Sequence, residues 1–177
     1  MDKNEIRQAL MRKRALVTER EDKDAAIAAK VCALAEKYSS VFVYVSMRSE
    51  VSTYAIIERL KKTHTVYIPH TVKSEMHAVK YDGSPLIPDR YGNIYESAAE
   101  FCDGQAELNI VPLIGFNENC HRIGYGKGCY DIYFSKYIGG PKIGLGYDEQ
   151  LCDFLPDVTD VPLDEIITPT KTLRRSK

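Results

Sequence analysis

Val41-Phe42-Val43-Tyr44-Val45 is an uninterrupted run of β-branched and aromatic residues, and it decides the fold. Such a run is typical of a strand buried on both faces, as in a parallel sheet. Ser52 stands where it could cap a following helix that turns Ile56 and Leu60 inward, and residues 65–68 predict the next strand. This β-α-β order implies a right-handed crossover and a parallel sheet covered by helices.

The rest of the chain continues this alternation of helices and strands. Two opening helices are predicted, one over residues 2–16 and one from a Thr18-Glu19-Arg20-Glu21 capping-box pattern to about residue 38. Further strands are predicted at residues 76–81, 108–116, 142–146 and 166–168, with a turn at 117–121. The pattern indicates an α/β fold, and the length suits one domain spanning residues 1–177.

Composition narrows the class of protein. The chain has 24 Lys and Arg against 25 Asp and Glu, a net charge of −1, which gives no overall signature of nucleic-acid binding. A charged amino terminus and the lack of any run near the roughly 18 apolar residues of a membrane span favour a cytoplasmic protein without membrane contact. Its five scattered cysteines are expected to be reduced thiols, and the basic stretch at residues 171–177 is expected to be a solvated tail.

The clearest chemical signal is Arg122-Ile123-Gly124-Tyr125-Gly126-Lys127-Gly128-Cys129-Tyr130-Asp131. Glycine permits φ > 0 and lets backbone N–H groups crowd against an anion. Lys127 would add a positive charge, and Asp131 could hold a divalent cation. The spacing is neither that of a P-loop nor that of a dinucleotide turn, so the run alone also fits a flexible turn before a helix. Its place between a predicted strand and a predicted helix start favours phosphate binding.

Several other stretches accompany the glycine run in a fixed order. They are Lys3-Asn4-Glu5-Ile6-Arg7, Tyr44-Val45-Ser46-Met47-Arg48-Ser49-Glu50-Val51-Ser52-Thr53, Gly92-Asn93-Ile94-Tyr95-Glu96, Val111-Pro112-Leu113-Ile114-Gly115-Phe116, Gly144-Leu145-Gly146-Tyr147-Asp148-Glu149-Gln150, Leu155-Pro156, and Asp160-Val161 through Ile166-Ile167-Thr168. Together they resemble the 5-formyltetrahydrofolate cyclo-ligase (5,10-methenyltetrahydrofolate synthetase) family over nearly the whole chain. Two positions depart from that family, since Ser97 stands where proline is usual and Cys129 where tyrosine is common. Cys129 is expected to be a packing thiol.

The resemblance implies a fold and a reaction. The fold would be a three-layer α/β/α arrangement with a mainly parallel sheet, of the NagB/RpiA/CoA-transferase-like kind. The reaction would be ATP- and Mg²⁺-dependent conversion of 5-formyltetrahydrofolate to 5,10-methenyltetrahydrofolate, with release of ADP and phosphate, by a monomeric enzyme.

The resemblance also implies the residues of the site. The ATP site would comprise Lys3, Asn4, Glu5, Ile6, Arg7, Arg122, Ile123, Gly124, Tyr125, Gly126, Lys127, Gly128, Cys129 and Tyr130. The folate site would comprise Val45, Glu50, Tyr125, Gly126, Lys127, Gly128 and Cys129. Lys127 and Arg122 would be the catalytic charges, and Asp131 and Asp160 the magnesium ligands.

Each assignment has an alternative on the residues alone. Asp131 could merely favour a helix dipole, Asp160 could belong to an ordinary acidic face, and Glu50 could be a solvated loop residue. Lys3 and Arg7, one helical turn apart, could be a solvated charge pair rather than a phosphate clamp. For the function, the alternatives are a different amide or acid as the substrate, or a non-catalytic folate- or nucleotide-binding homologue.

Overall fold

A computed structural model describes residues 2–86 and 100–176. The helices are α1 (Lys3–Ala15), α2 (Arg20–Ala35), α3 (Tyr54–Leu60) and α4 (Cys129–Lys136), with a 3₁₀ turn at Asp148–Gln150. The strands are β1 (Ser40–Val43), β2 (Thr65–Val72), β3 (Glu75–Lys80), β4 (Leu108–Pro112), β5 (Gly115–Phe116), β6 (Arg122–Ile123), β7 (Lys142–Leu145), β8 (Glu165–Ile167) and β9 (Thr172–Arg174). The Gly92-Asn93-Ile94-Tyr95-Glu96 stretch and Ser97 lie outside the described residues.

Seven strands form one sheet in the order β3-β2-β1-β4-β7-β8-β9. Neighbouring strands from β2 through β8 are parallel, whereas β3 and β9 pair antiparallel at the two edges. The predicted α/β fold with a mainly parallel sheet is confirmed. From β1 the chain moves outward to β2, and from β4 it moves outward the other way to β7, so the topological switch point lies between β1 and β4.

Different helices cover the two faces of this sheet. Val41 and Val43 pack on one face in the cluster that contains the buried residues of α2 and α3. Phe42, between them, points to the other face and stacks on Tyr133 of α4 with ring centroids 5.9 Å apart. Successive side chains of β1 point to opposite faces of the sheet, as in any strand. Since helices pack on both faces, the fold has three layers.

The predicted start of α2 is wrong. No capping box forms at Thr18, because α2 begins after Glu19, which is left-handed (φ 53°) and makes no side-chain cap. Arg20 explains this start, since its guanidinium donates to the carbonyl oxygens of Arg14, Ser49 and Glu50 at 2.8–3.0 Å. A capping box forms instead at α1, where Asp2 accepts from two backbone N–H groups.

The predicted cap of α3 is also wrong. Thr53, not Ser52, occupies the N-cap position, and it makes no side-chain cap. Its hydroxyl instead donates to the Tyr44 carbonyl at 2.6 Å and accepts from the Ser46 N–H at 3.0 Å. Thr53 therefore ties the start of α3 to the end of β1.

The basic carboxyl-terminal stretch is not simply a solvated tail, because Thr172–Arg174 pairs with β8 as an edge strand and Leu173 packs against the core. All five cysteines, which lie among the described residues, are free thiols as expected. Within residues 2–86 and 100–176, no helix has the length and apolar character needed to cross a membrane.

Candidate functional site

The candidate site lies at the carboxyl ends of β1 and β4, beside the switch point of the sheet. Open parallel sheets bind ligands at this place, because the chain leaves adjacent strands in opposite directions and opens a crevice. The segment that follows β1 carries Glu50. The segment that follows β4 forms the short β5–β6 hairpin and then the glycine turn that leads into α4.

Two glycines give the turn its shape. Gly126 has φ 89° and Gly128 has φ 65°, which is the left-handed region that favours glycine. Gly128 is also the N-cap residue of α4. The side chain of Lys127, between them, is exposed and makes no hydrogen bond or ion pair with the part of the chain that is described. The turn therefore presents a free positive charge beside the N-terminus of a helix.

Helix α1 packs its basic face against this turn. Arg7 Nε donates to the Gly124 carbonyl at 2.9 Å, and a Cβ on Gly126 would lie 3.4 Å from Arg7 Cζ. Lys3 Nζ lies 2.9 Å from Asp160 Oδ2 and 2.5 Å from Asp157 Oδ2. Lys3 and Arg7 are thus held by partners from distant parts of the chain, and they are not a solvated pair.

The remaining α1 residues assigned to the ATP site have visible structural partners. Asn4 Oδ1 accepts from Arg7 Nη1 at 2.6 Å, and the Glu5 carboxylate accepts from the Asp2 N–H at 2.9 Å to close the capping box. Ile6 packs against the small core cluster around Leu10.

The segment that carries Asp160 lies against Asp131. Asp131 Oδ1 accepts from Arg122 Nη2 at 2.8 Å and from the N–H of Val161 at 3.1 Å. Asp131 Oδ2 has no hydrogen-bond partner among the described residues. Burial works against a charged Asp160, but the Asp157 N–H, the Lys3 ammonium and the Arg122 charge together hold its pKa below the ordinary value.

This pair offers carboxylate oxygens, the donors that Mg²⁺ prefers. In residues 2–86 and 100–176 there is no group of three or more acidic, histidine or cysteine side chains that could hold a metal. A two-carboxylate site suits Mg²⁺ because this ion usually keeps several waters and takes other ligands from substrate phosphates.

Arg122 is a buried cation of the site. Its guanidinium lies 5.8 Å from the centroid of the Tyr130 ring, and burial raises the pKa of Tyr130 well above its ordinary value. The Nε of Arg122 is buried without a hydrogen-bond partner in the described parts of the chain. The Nη1 of the same guanidinium lies beside the glycine turn, because a Cβ on Gly124 would be 3.1 Å from it.

Glu50 is buried, with only 6 % of its surface exposed, so it is not a solvated loop residue. Its Oε1 accepts from the Tyr125 hydroxyl at 2.7 Å, and its Oε2 accepts from the Met47 N–H at 2.8 Å. Since Tyr125 belongs to the glycine turn, this contact joins the turn to the end of β1. Val45, which was assigned to the folate site, packs in the core.

One member of this network was not found from the sequence. Arg14 of α1 is 1 % exposed, and its Nη2 donates to the Tyr125 hydroxyl at 2.8 Å. Its position was the available signal, since Arg14 follows Arg7 by seven residues and so lies near the same face of α1. Because many other residues of this helix are also basic, the sequence alone did not single out Arg14.

Cys129 is the first residue of α4. Its side chain is partly buried and packs against the core cluster that contains Phe134. This environment agrees with the expected packing thiol.

Three comparisons with known proteins bear on this site. The sequence model of the 5-formyltetrahydrofolate cyclo-ligase family matches residues 1–169. The 5-formyltetrahydrofolate cyclo-ligase of Mycoplasma pneumoniae is 32 % identical over 173 residues, which cover 94 % of this chain and 98 % of the relative. The chain belongs to the 5-formyltetrahydrofolate cyclo-ligase family.

Solved structures agree with this membership. The 5,10-methenyltetrahydrofolate synthetase structure from Mycoplasma pneumoniae superposes with a TM-score of 0.79 at 28 % identity, over 96 % of this chain and 99 % of that one. The synthetase of Aquifex aeolicus, with a TM-score of 0.85 at 24 % identity over 98 % of this chain and 93 % of that one, shares the fold. The sequence-based prediction of the family is confirmed.

Proposed function

We propose that this chain catalyses the ATP-dependent cyclisation of 5-formyltetrahydrofolate to 5,10-methenyltetrahydrofolate, releasing ADP and phosphate. The observation that supports it most is the 2.7 Å hydrogen bond from Tyr125 to Glu50. It brings a turn suited to phosphate against a buried carboxylate suited to the N–H groups of a pterin ring. Phosphoryl transfer needs its donor and acceptor side by side, because catalysis depends mainly on positioning and charge.

The triphosphate of ATP would lie along the glycine turn. Backbone N–H groups at residues 124–128 and the N-terminus of α4 favour negative charge there. Lys127 supplies an exposed charge, and Arg122 supplies a buried one whose Nη1 lies beside Gly124. Lys3 and Arg7 line the same edge through their contacts with Asp160 and Gly124.

The chemistry requires activation of a formamide. Its carbonyl carbon is a poor electrophile, because the nitrogen lone pair donates into it and the oxygen is a poor leaving group. Transfer of the γ-phosphoryl group to the formyl oxygen releases ADP and gives an iminium phosphate. The neighbouring anilino nitrogen then attacks the carbon, the C–O bond breaks as phosphate departs, and the anilino proton is lost. This path needs no nucleophile from the protein.

Asp131 and Asp160 would hold Mg²⁺ that accompanies the nucleotide. The ion, when bound, would neutralise charge on the transferring phosphoryl group. Asp131 is suited to this role because Oδ1 is held by Arg122 and Val161 while Oδ2 has no partner among the described residues. Arg122 thereby orients the carboxylate as well as the phosphate.

A spectrophotometric assay tests the proposal. Purified protein mixed with 5-formyltetrahydrofolate should form methenyltetrahydrofolate only when ATP and Mg²⁺ are both present. ATP turnover without methenyltetrahydrofolate would favour a different amide or acid as acceptor. Folate or ATP binding without turnover would favour a non-catalytic homologue.

We further propose that residues 1–177 act as one catalytic domain in a monomer. Light scattering coupled to size-exclusion chromatography tests this, and a mass near 40 kDa, about twice the 20.0 kDa of the chain, would overturn it.

A further inference from the structure

We propose that Arg14 positions Glu50 for folate binding by fixing the Tyr125 hydroxyl between them. The inference rests on the proposed function, in which Glu50 binds the pterin ring. Arg14 lies outside the amino-terminal motif at residues 3–7, and it would touch neither substrate. It acts through Tyr125 and is therefore a positioning residue.

The chemistry of the groups fixes the direction of both hydrogen bonds. A guanidinium carries donors and no acceptor, so the Tyr125 oxygen must accept from Arg14 Nη2 over 2.8 Å. The single hydroxyl proton of Tyr125 then points to Glu50 Oε1, 2.7 Å away. Burial and the negative charge of Glu50 raise the pKa of Tyr125 to about 12, so this proton is retained at neutral pH.

Glu50 keeps acceptor capacity for a ligand. Tyr125 uses one lone pair of Oε1, and the Met47 N–H uses one of Oε2 at 2.8 Å. A carboxylate has about four acceptor sites, so roughly two remain for N–H donors. The two protein donors approach different oxygens, and together they hold the plane of the carboxylate.

Only an arginine can make the contacts seen at position 14. Its Nε donates to Ser49 Oγ at 3.1 Å, and its Nη1 donates to the Leu113 carbonyl at 3.0 Å. These two partners follow β1 and β4 respectively, and Tyr125 belongs to the glycine turn. One rigid, planar group therefore joins three segments of the site, which a lysine ammonium on a flexible stem cannot do.

The two arginines of α1 serve different parts of the site. Arg7 contacts the Gly124 carbonyl, on the proposed phosphate side, and Arg14 contacts the neighbouring Tyr125, whose hydroxyl reaches Glu50. Seven residues of helix separate them by about 10 Å. A change at Arg14 should therefore affect folate and spare ATP.

A double-mutant cycle tests the inference in the full-length protein. Arg14→Lys and Tyr125→Phe should each raise the KM and the calorimetric Kd for 5-formyltetrahydrofolate by about tenfold or more, since each breaks a hydrogen bond within a charged network. In Arg14→Lys the KM for ATP should stay within about twofold. The double variant should be no worse than the more affected single variant, because both changes break the same link. Arg12→Lys, on the exposed face of α1, is the matched control and should leave the KM for both folate and ATP unchanged.

Three results would overturn the inference. The first is a double variant in which the fold-changes in the folate KM of the two single variants multiply. The second is a folate KM and Kd in Tyr125→Phe equal to those of the wild type. The third is a loss of kcat in Arg14→Lys with both KM values unchanged, which indicates a smaller folded fraction. If Arg14→Lys does not fold, Ser49→Ala replaces it in the cycle, since it removes the acceptor of Arg14 Nε. Absence of methenyltetrahydrofolate with the wild-type protein would refute the proposed function, while the folate Kd values would still decide the role of Arg14.

Discussion

The backbone N–H of Val161 donates a 3.1 Å hydrogen bond to Oδ1 of Asp131. Asp160 directly precedes Val161, so this bond brings the segment that carries Asp160 against Asp131, although the two residues are far apart in sequence. Nothing in the local sequence distinguishes Asp160 from the neighbouring Asp153, Asp157 and Asp164. The fold distinguishes it, because the segment that carries Asp160 lies against the start of α4.

Asp131→Asn is expected to weaken Mg²⁺ binding and leave the fold intact. The amide oxygen can still accept from Val161 and Arg122, but the charge that a hard cation selects is lost. The Mg²⁺ concentration for half-maximal turnover should rise on the order of tenfold or more. Asp153→Asn, at an exposed residue of the same acidic segment as Asp160, is the control and should leave the Mg²⁺ concentration for half-maximal turnover unchanged. An unchanged Mg²⁺ requirement in Asp131→Asn would refute the metal assignment.

Glu50→Gln is expected to weaken folate binding by about 10- to 100-fold and to spare ATP. Glutamine keeps the shape of the side chain, but its amide group cannot accept from Tyr125, Met47 and the pterin N–H groups together. Calorimetric titration with each substrate measures the two affinities, with Glu36→Gln on the exposed end of α2 as the control. Weaker ATP binding with normal folate binding would mean that the two subsites are exchanged.

The sheet could be predicted from the sequence because its signal is local. The run at residues 41–45 and the helix that follows fix a parallel crossover whatever the rest of the chain does. The glycine turn was predictable for the same reason, since Gly126 and Gly128 adopt the left-handed conformation that their residue type permits.

Features that depend on distant contacts could not be predicted. The pattern at Thr18 has the residues of a capping box, but Arg20 fixes the start of α2 through carbonyls that lie beyond it along the chain. Among the basic residues of α1, the burial of Arg14 depends on where Leu113 and Tyr125 lie. A helix sequence alone does not specify these partners.

Gly140→Ala is expected to destabilise the protein more than Gly83→Ala. Both glycines have positive φ (53° and 91°), which costs an alanine roughly 1–2 kcal/mol. A Cβ on Gly140 would also lie 2.1 Å from the Glu107 carbonyl oxygen, whereas a Cβ on Gly83 would meet no atom of the described residues within 4 Å. The free energy of unfolding in urea should fall by about 3 kcal/mol or more for Gly140→Ala. An equal fall in the free energy of unfolding in the two variants would show that the backbone near Glu107 moves to accommodate the added methyl group.

Cys129→Tyr is expected to be tolerated and to tighten folate binding, because it restores the aromatic residue common in the family. Cys129→Ala should keep most of the activity, since the thiol is only partly buried and packs at the edge of the core. Turnover and folate affinity measure both effects. Near-complete loss of activity in a folded Cys129→Ala protein would give the thiol a chemical role.

Lys127→Met is expected to cost more in turnover than in substrate binding. The ammonium is exposed and has no partner in the described parts of the chain, so it is free to meet charge that develops on the transferring phosphoryl group. Removing one such preorganised contact typically costs about 3 kcal/mol, or roughly a hundredfold in rate. The turn should survive, because its shape depends on Gly126 and Gly128 rather than on this side chain.

Single-turnover measurement at saturating ATP and folate separates chemistry from binding in the Lys127 variant. Lys37→Met, an exposed lysine just after α2, serves as the control for the loss of one surface charge and should react at the wild-type rate. A Lys127→Met enzyme with a normal single-turnover rate but a raised Kd for ATP would make Lys127 a docking contact for the nucleotide. The charge acting on the transferring group would then have to come from Arg122, whose Nη1 would lie 3.1 Å from a Cβ on Gly124 of the turn.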